Sequence, residues 1–209
     1  MLSFNQMTEK TIHRATTVER RKELVEITYG LIATKGLEGL RTRDIAVAAA
    51  TDTGTLHYHF PSKELLIQAV VERLSKDFRS NRAEMTHEPS NAFDELRNEV
   101  FDVVARVQES PQQLLVMLEF VVRASRDATV AQILARTRAD WKETLVGLLI
   151  RGVEQGLFRP DVDPMTAASL LQAQLIGLAM GGLATPAQAD GLASTLLTQL
   201  QAWLSKPPT

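Results

Sequence analysis

The side chains best suited to chemistry in this chain are gathered in residues 41–60, which read RTRDIAVAAATDTGTLHYHF. The second half of this segment is dense in hydroxyl, imidazole and phenol groups, which can hydrogen-bond phosphates or the edges of nucleotide bases. These groups belong to Thr53, Thr55, His57, Tyr58 and His59. The large apolar side chains there are mainly Leu56 and Phe60, so the segment is not expected to be a core helix.

The same residues carry no catalytic or metal-binding pattern. Cysteine is absent, and the sequence has no nucleophile elbow, phosphate-binding loop or His-Glu-x-x-His motif. His57 and His59 are two positions apart, which points their rings in different directions on a helix, and no carboxylate cluster accompanies them. The pair Asp94-Glu95 is interpreted as negative charge at a helix N-terminus. We therefore expect no enzyme activity, no cofactor and no metal ion.

Two short helices must position these groups. An Ala-rich helix is predicted over residues 42–49, followed by a break at residues 50–52 and a second helix. Ile45, Ala46 and Ala49 form the inner face of the first helix, and the small alanines let the second helix cross closely. This arrangement is typical of a helix-turn-helix.

The rest of the chain is also predicted to be helical, because apolar residues recur at helical spacing and no long segment alternates as a half-buried strand does. Residues 16–19 fit a capping box, so the first helix is expected to begin near Thr17 and to stop at Gly36. A polar cap before a proline marks three further starts. These are Ser110-Pro111, Asp163-Pro164 and Thr185-Pro186. The fold class is all-α, with about nine helices.

Composition fits a soluble folded chain, with 44% hydrophobic and 23% charged residues. Residues 1–63 hold nine Lys or Arg against seven Asp or Glu, whereas residues 64–209 hold fourteen against eighteen. This asymmetry is too small to identify a partner. Arg20-Arg21-Lys22 is interpreted as a solvated helix face and only secondarily as a DNA contact. The N-terminus has no basic start followed by an apolar run, so we expect no signal peptide and a cytoplasmic protein.

Several short motifs within residues 31–65 match one known pattern. They are Leu31-Ile32-Ala33-Thr34-Lys35-Gly36, Thr42-Arg43-Asp44-Ile45-Ala46, Ala49-Ala50-Thr51-Asp52, Gly54-Thr55-Leu56-His57-Tyr58-His59-Phe60 and Ser62-Lys63-Glu64-Leu65. Together they make residues 17–80 resemble the N-terminal DNA-binding domain of TetR-family transcriptional regulators. The resemblance implies a three-helix domain with its helix-turn-helix at residues 41–60, and double-stranded DNA as the partner.

The resemblance also implies a role at the DNA for eight residues. Thr42 and Lys63 would meet backbone phosphates at the N-termini of their helices, and His57 and His59 would lie at the same backbone. Four residues would face the major groove, and Arg43 is the best candidate among them for bidentate reading of a guanine. They are Arg43, Thr53, Thr55 and Tyr58. Residues 1–16 are expected to form a flexible arm, in which Lys10, His13 and Arg14 either lie over the DNA or are disordered.

Three departures from the family pattern fall in the turn and the second helix. Ala50 and Thr51 stand where Gly-Val is usual, and alanine tolerates positive φ less well than glycine. Asp52 replaces the usual serine and caps equally well, but it adds negative charge close to the DNA. His57 replaces the usual tyrosine, and its charge varies near neutral pH. These changes bear on which DNA sequence is read.

Residues 81–209 are predicted to form a ligand-sensing and dimerisation domain. Residues 118–127 and 156–164 resemble the C-terminal domain of the BetI-type subgroup. Candidate pocket residues, for several of which core packing is the alternative, are Phe101, Met117, Phe120, Trp141 and Gln172. Because no dense charge cluster marks this region, the small-molecule effector is expected to be apolar or aromatic; an anion bound by Arg123 and Arg126 is the exception.

Asp190 is the only charged residue between Pro164 and Ser205. Helices with almost no charged face are buried in a core or against another subunit. We expect a four-helix homodimer interface here, with an intramolecular core hairpin as the alternative. Its candidate residues are Leu171, Leu175, Leu178, Leu197 and Leu200. The stretch is long enough for a membrane span, but polar residues and glycines interrupt it and no basic anchor flanks it, so we expect none.

The predicted function is a DNA-binding transcriptional regulator, specifically a repressor released from a pseudo-palindromic operator by a small molecule. The alternative is a helical ligand-binding or scaffold protein whose DNA binding has decayed, and residues 50–52 are its only support. A mobility-shift assay with the upstream region of the gene separates the two.

Overall fold

The computed structural model describes residues 4–80 and 89–205, with side chains described for residues 17–78 and 89–205. Within these residues the chain forms nine α-helices and one short 3-10 helix, with no strand. The helices are α1 (Phe4–Lys35), α2 (Thr42–Ala48), α3 (Thr53–His59), α4 (Lys63–Ser80), α5 (Ala92–Glu109), α6 (Pro111–Ala124), α7 (Ala128–Glu154), α8 (Pro164–Ala184), the 3-10 helix (Pro186–Gln188) and α9 (Ala189–Leu204). The predicted all-α fold is confirmed.

Several helix ends follow from local side-chain chemistry. Asn91 caps α5 by accepting from the backbone N–H of Phe93 and Asp94, at 2.9 and 3.0 Å. Asp163 caps α8 in the same way, ahead of Pro164 in its first turn, as predicted. Thr185 does not act as a cap, because its hydroxyl donates to Gly181 O in the preceding helix and the turn that follows is 3-10.

The predicted start of the first helix near Thr17 is wrong, because α1 begins at Phe4. A capping box is a local pattern that also occurs inside helices, and no proline or glycine upstream of Thr17 interrupts the helix. Lys10, His13 and Arg14 lie within α1, but their side chains are outside the described part of the chain.

The described residues divide into two compact units, one formed by residues up to 74 with residues 115–131, the other by residues 75–114 and 132–205. In the first unit α1 contacts α2 and α3, which contact each other. The fully buried side chains of this unit include Leu24, Ile45 and Leu56. Most of α6 and the start of α7 thus group with the N-terminal helices, although they follow the expected boundary at residue 80 in the sequence.

The carboxyl end of α1 is closed by a residue from α6. Gly36 ends the helix as predicted, with a φ of 71° that favours glycine. The carboxylate of Glu119 accepts a hydrogen bond from the backbone N–H of Leu37 at 3.0 Å. A Cβ at Gly36 would lie 3.3 Å from Glu119 Oε1, so glycine also leaves room for this carboxylate.

In the second unit α5 packs against α8 and α9, which also pack against each other. Four of the five leucines predicted at a dimer interface are buried in this core, so that prediction is wrong for them. They are Leu171, Leu175, Leu178 and Leu200, none more than 6% exposed. Leu197 is partly buried against the same core. Lack of charge marks the segment as buried, but it does not say which of its faces meets the core of its own subunit.

Among the described residues, α8 is the one helix long and apolar enough to cross a membrane by length and composition alone. Buried core helices of soluble proteins meet the same criterion. One face of α8 packs against α5 and α9.

Candidate nucleic-acid interface

The turn between α2 and α3 is a helix C-cap with alanine in the position that favours glycine. The backbone N–H of Thr51 donates to Ala46 O at 2.9 Å, and that of Ala50 donates to Val47 O at 3.1 Å. These two bonds form a Schellman motif, in which the residue after the cap adopts a left-handed conformation. That residue is Ala50, with a φ of 48°, and it is the only non-glycine residue with positive φ in the described parts of the chain.

Asp52 opens α3 with two hydrogen bonds to a single residue. Its carboxylate accepts from the backbone N–H of Thr55 at 2.8 Å and from the Thr55 hydroxyl at 2.9 Å. The backbone bond is the main cause that lowers the pKa of Asp52, so the exposed carboxylate stays ionised. The predicted cap is confirmed. The Thr55 hydroxyl, expected to face the major groove, is already engaged with Asp52.

The rest of α3 presents a polar face opposite a buried one. Leu56 and Phe60 are each 2% exposed and anchor the helix in the first unit. Thr53, His57 and Tyr58 are exposed, the last by 70%. Outside α3, Arg43 is also exposed, near the start of α2. Each of these four side chains is exposed enough to contact a ligand.

Three of the residues predicted at the phosphate backbone lie together. Thr42, His57 and Lys63 line one shallow depression of about 10 Å³ between the starts of α2 and α4 and the middle of α3. The Lys63 ammonium donates a hydrogen bond to Leu40 O. An ammonium has three donors, so this bond fixes its position and leaves two for another acceptor.

His59 differs from the other residues predicted at the DNA, because it is only 9% exposed. Its ring packs edge-on against Tyr58, with centroids 5.1 Å apart, and its Nδ1 is buried without a hydrogen-bond partner. Burial lowers the pKa of His59, and the charges of Arg20 and Arg21 lower it further. A buried neutral ring is a packing group, not a phosphate contact.

In the described part of the chain no three His, Asp or Glu side chains are grouped to hold a metal.

Arg20 and Arg21 belong to the predicted solvated face, where Arg21 is exposed, but both also make tertiary hydrogen bonds. Arg20 Nη2 donates to Ala49 O at 2.8 Å, and Arg21 Nη1 donates to His59 O. The guanidinium of Arg21 also lies over the Phe60 ring, 4.0 Å from its centroid. Their targets lie 29 and 38 positions away, so no local pattern could have revealed them.

The five residues predicted to line an effector pocket are divided between the two units. Met117 and Phe120 belong to the first, and Phe120 is fully buried. In the second unit Phe101 is 40% exposed, and Trp141 donates from Nε1 to Glu99 Oε2 at 3.0 Å. Gln172, also in the second unit, donates to Arg138 O at 3.0 Å. A pocket formed by these residues stays a prediction.

Comparison with known families matches both parts of the chain. Residues 24–70 match the family described as bacterial regulatory proteins, tetR family. Residues 93–204, more than half of the chain, match the BetI-type transcriptional repressor, C-terminal. The first range contains all of α2 and α3, and the second contains α6 to α9 and all of α5 except its first residue.

Individual relatives agree with this assignment. The chain is 27% identical over 153 residues to the HTH-type transcriptional repressor KstR2 of Rhodococcus jostii, covering 73% of this chain and 74% of the relative. It is 25% identical over 155 residues to the HTH-type transcriptional regulator UidR of Escherichia coli, covering 72% and 75%. A crystal structure of a transcriptional regulator from Saccharomonospora viridis in complex with choline has the same fold, with a TM-score of 0.82, 23% identity and coverage of 91% and 100%. The chain is therefore a DNA-binding transcriptional regulator that belongs to the TetR family and has a BetI-type C-terminal domain.

Proposed function

We propose that this regulator is a homodimeric repressor that places α3 of each subunit in successive major grooves and leaves its operator when a small molecule binds. The observation that carries the proposal is the exposed polar face of α3, anchored from behind by Leu56 and Phe60. Two-fold symmetry then requires a pseudo-palindromic operator with half-site centres about 34–36 Å apart, or a multiple of a helical turn. Because it acts on DNA, we also propose a cytoplasmic location.

The proposed base contacts are Arg43, Thr53 and Tyr58, whose side chains are exposed. Thr42, His57 and Lys63 are the proposed phosphate contacts, because they line a common depression. His59 is omitted because it is buried. Thr55 is given a capping role, because Asp52 accepts both its amide and its hydroxyl hydrogen.

The proposed dimer surface is the outer face of α8 and α9, in place of the leucines that pack inward. Leu170 and Leu192 are 50% and 42% exposed there. An open apolar groove of about 410 Å³ is lined by Leu170, Ala173, Gln174 and Trp203. Solvent-exposed leucines beside an apolar groove are the features expected of a surface that another subunit covers.

The proposed effector is a mainly apolar or aromatic molecule. Arg123 is one of the two arginines that could bind an anionic effector, and it forms a salt bridge with Asp127 at 3.2 Å. This pairing favours a neutral ligand over an anionic one. Choline belongs in the first panel of compounds because the regulator from Saccharomonospora viridis was crystallised with it. Trp141 can report binding by its fluorescence. Trp203 is replaced by phenylalanine to remove the second signal, and because Trp203 lines the proposed dimer surface, the variant is first checked by sedimentation against the parent.

The experiment that tests the function is a mobility-shift assay with the upstream region of the gene, combined with sedimentation of the free protein. We expect a sequence-specific complex and a dimer at micromolar concentration. Compounds that raise the melting temperature are then added to the complex, and an effector should weaken operator binding by its differential affinity for the two states. Failure to bind DNA specifically would favour the alternative, a helical ligand-binding protein with decayed DNA binding.

A further inference from the structure

Two neighbouring arginines of α1 each reach the carboxyl-terminal end of a different helix of the helix-turn-helix. Arg20 donates to the carbonyl of Ala49, the residue that caps α2. Arg21 donates to the carbonyl of His59, the last residue of α3. Successive residues of an α-helix point about 100° apart around its axis. The pair can therefore serve two helix ends at once.

Each guanidinium is fixed by a second contact. Arg20 Nη1 pairs with Glu23 Oε2 at 2.7 Å, one turn further along α1. Arg21 stacks on the ring of Phe60, which is itself buried. A planar guanidinium can stack on a ring and donate hydrogen bonds in its own plane in the same pose.

The acceptors are the groups that a helix leaves unsatisfied. Carbonyls in the last turn lack intrahelical partners and carry partial negative charge, so a cation there is favourable. Because both arginines belong to one rigid helix, these bonds also fix where α2 and α3 end relative to α1.

We propose that Arg20 and Arg21 are positioning residues for DNA recognition. They hold α2 and α3 in the orientation that lets Arg43 and the exposed face of α3 reach the same groove, and they do not themselves contact DNA. The inference rests on the proposed use of α3 in the major groove. Base contacts set specificity, whereas phosphate contacts set salt dependence. Positioning residues should therefore change the first and leave the second alone.

The test compares two DNA duplexes. The parent protein first selects a duplex from a random double-stranded library, and a scrambled duplex of the same composition serves as the non-specific probe. Arg20→Lys and Arg21→Lys keep the charge but lose the forked, stacking group. Arg20→Gln and Arg21→Gln remove the charge. Lys22→Gln is the matched control, because Lys22 is an exposed cation on the same turn of α1.

The quantity measured is the ratio of affinities for the selected and scrambled duplexes, together with the salt slope. We expect each Arg→Gln variant to lower the ratio about ten-fold, the effect of one charge-assisted hydrogen bond, and each Arg→Lys variant, which keeps a charged donor, to lower it less. The salt slope of each Arg→Gln variant should change no more than that of Lys22→Gln. Partial unfolding lowers both affinities together, so it cannot produce the loss of ratio.

Two outcomes would overturn the proposal. An unchanged ratio in the Arg→Gln variants would mean that the helix-end bonds do not orient the recognition helix. A salt slope about one ion lower in an Arg→Gln variant than in Lys22→Gln would identify that arginine as a phosphate contact. If the parent selects no duplex at all, the proposed function fails first, and the positioning role fails with it.

Discussion

Replacing Ala50 by glycine should stabilise the protein, because Ala50 is the residue between α2 and α3 that adopts a left-handed conformation. Its φ of 48° costs an L-residue with a Cβ roughly 1–2 kcal/mol. Glycine removes this cost but loses roughly 0.4–1 kcal/mol through the greater freedom of the unfolded chain. The side chain is exposed, so no packing is lost. The expected net gain in the free energy of unfolding is about 0.5–1 kcal/mol, equivalent to a rise in Tm of about 1–4 °C.

Urea denaturation at one fixed protein concentration is the appropriate assay, because dimerisation makes stability concentration-dependent. The urea concentration at the midpoint of unfolding should rise. The slope of the free energy of unfolding against urea concentration should stay constant, since the substitution does not change the surface area exposed on unfolding. Ala48→Gly is the matched control. Ala48 is an exposed alanine two positions earlier and the last residue of α2, so glycine there should cost up to about 1 kcal/mol. If Ala50→Gly lowers the midpoint as Ala48→Gly does, the alanine carries no strain and the reasoning is refuted.

Three further predictions concern DNA, assembly and pH. Lys63→Ala should weaken binding to all duplexes alike and lower the salt slope by about one ion. Arg43→Ala should instead relax the preference at one base pair, at a cost of roughly 1–3 kcal/mol of binding free energy. Competition assays that show the same pattern for both variants would contradict these roles. Leu170→Glu should give a folded monomer by sedimentation and circular dichroism, whereas Leu175→Glu, at 1% exposure, should unfold the chain; a folded dimer from Leu170→Glu would exclude the proposed surface. Because its pKa is lowered in the fold, Asp52 stabilises the protein above the unfolded pKa of about 3.9, and this stability is lost as pH falls through the lower folded pKa. Asp52→Asn should keep the cap but reduce that acid-dependent loss in a denaturation series across pH, and an unaltered pH profile would contradict it.

The helix-turn-helix could be predicted from sequence because its determinants are local. Asp52 caps α3 through Thr55, three positions away, and Leu56 and Phe60 sit one turn apart on its buried face. The burial of His59 could not be predicted in this way. Its ring lies on the same short helix as the exposed His57, and only the path of the surrounding helices decides which is covered.

Longer-range features escaped prediction for the same physical reason. Absence of charge identified α8 and α9 as buried helices, but four of the five leucines predicted at a dimer interface face the core of their own subunit. The face that remains exposed carries Leu170 beside small and polar residues. Composition alone does not distinguish such a subunit interface from an ordinary solvent-exposed surface. The two helix-end arginines depend on tertiary contacts with no sequence signature.

The contact of Glu119 with the end of α1 affects how the regulator can be taken apart. The carboxylate that accepts from Leu37 N–H comes from α6, 82 positions further along the chain. A fragment that stops at residue 80 leaves this amide without its partner and removes the whole of residues 115–131 from the compact unit to which they belong. A chimeric regulator that joins the DNA-binding helices of this protein to the ligand-binding domain of another regulator should therefore include α6 with the DNA-binding helices. A junction placed between the two family matches, residues 24–70 and 93–204, would divide one compact unit.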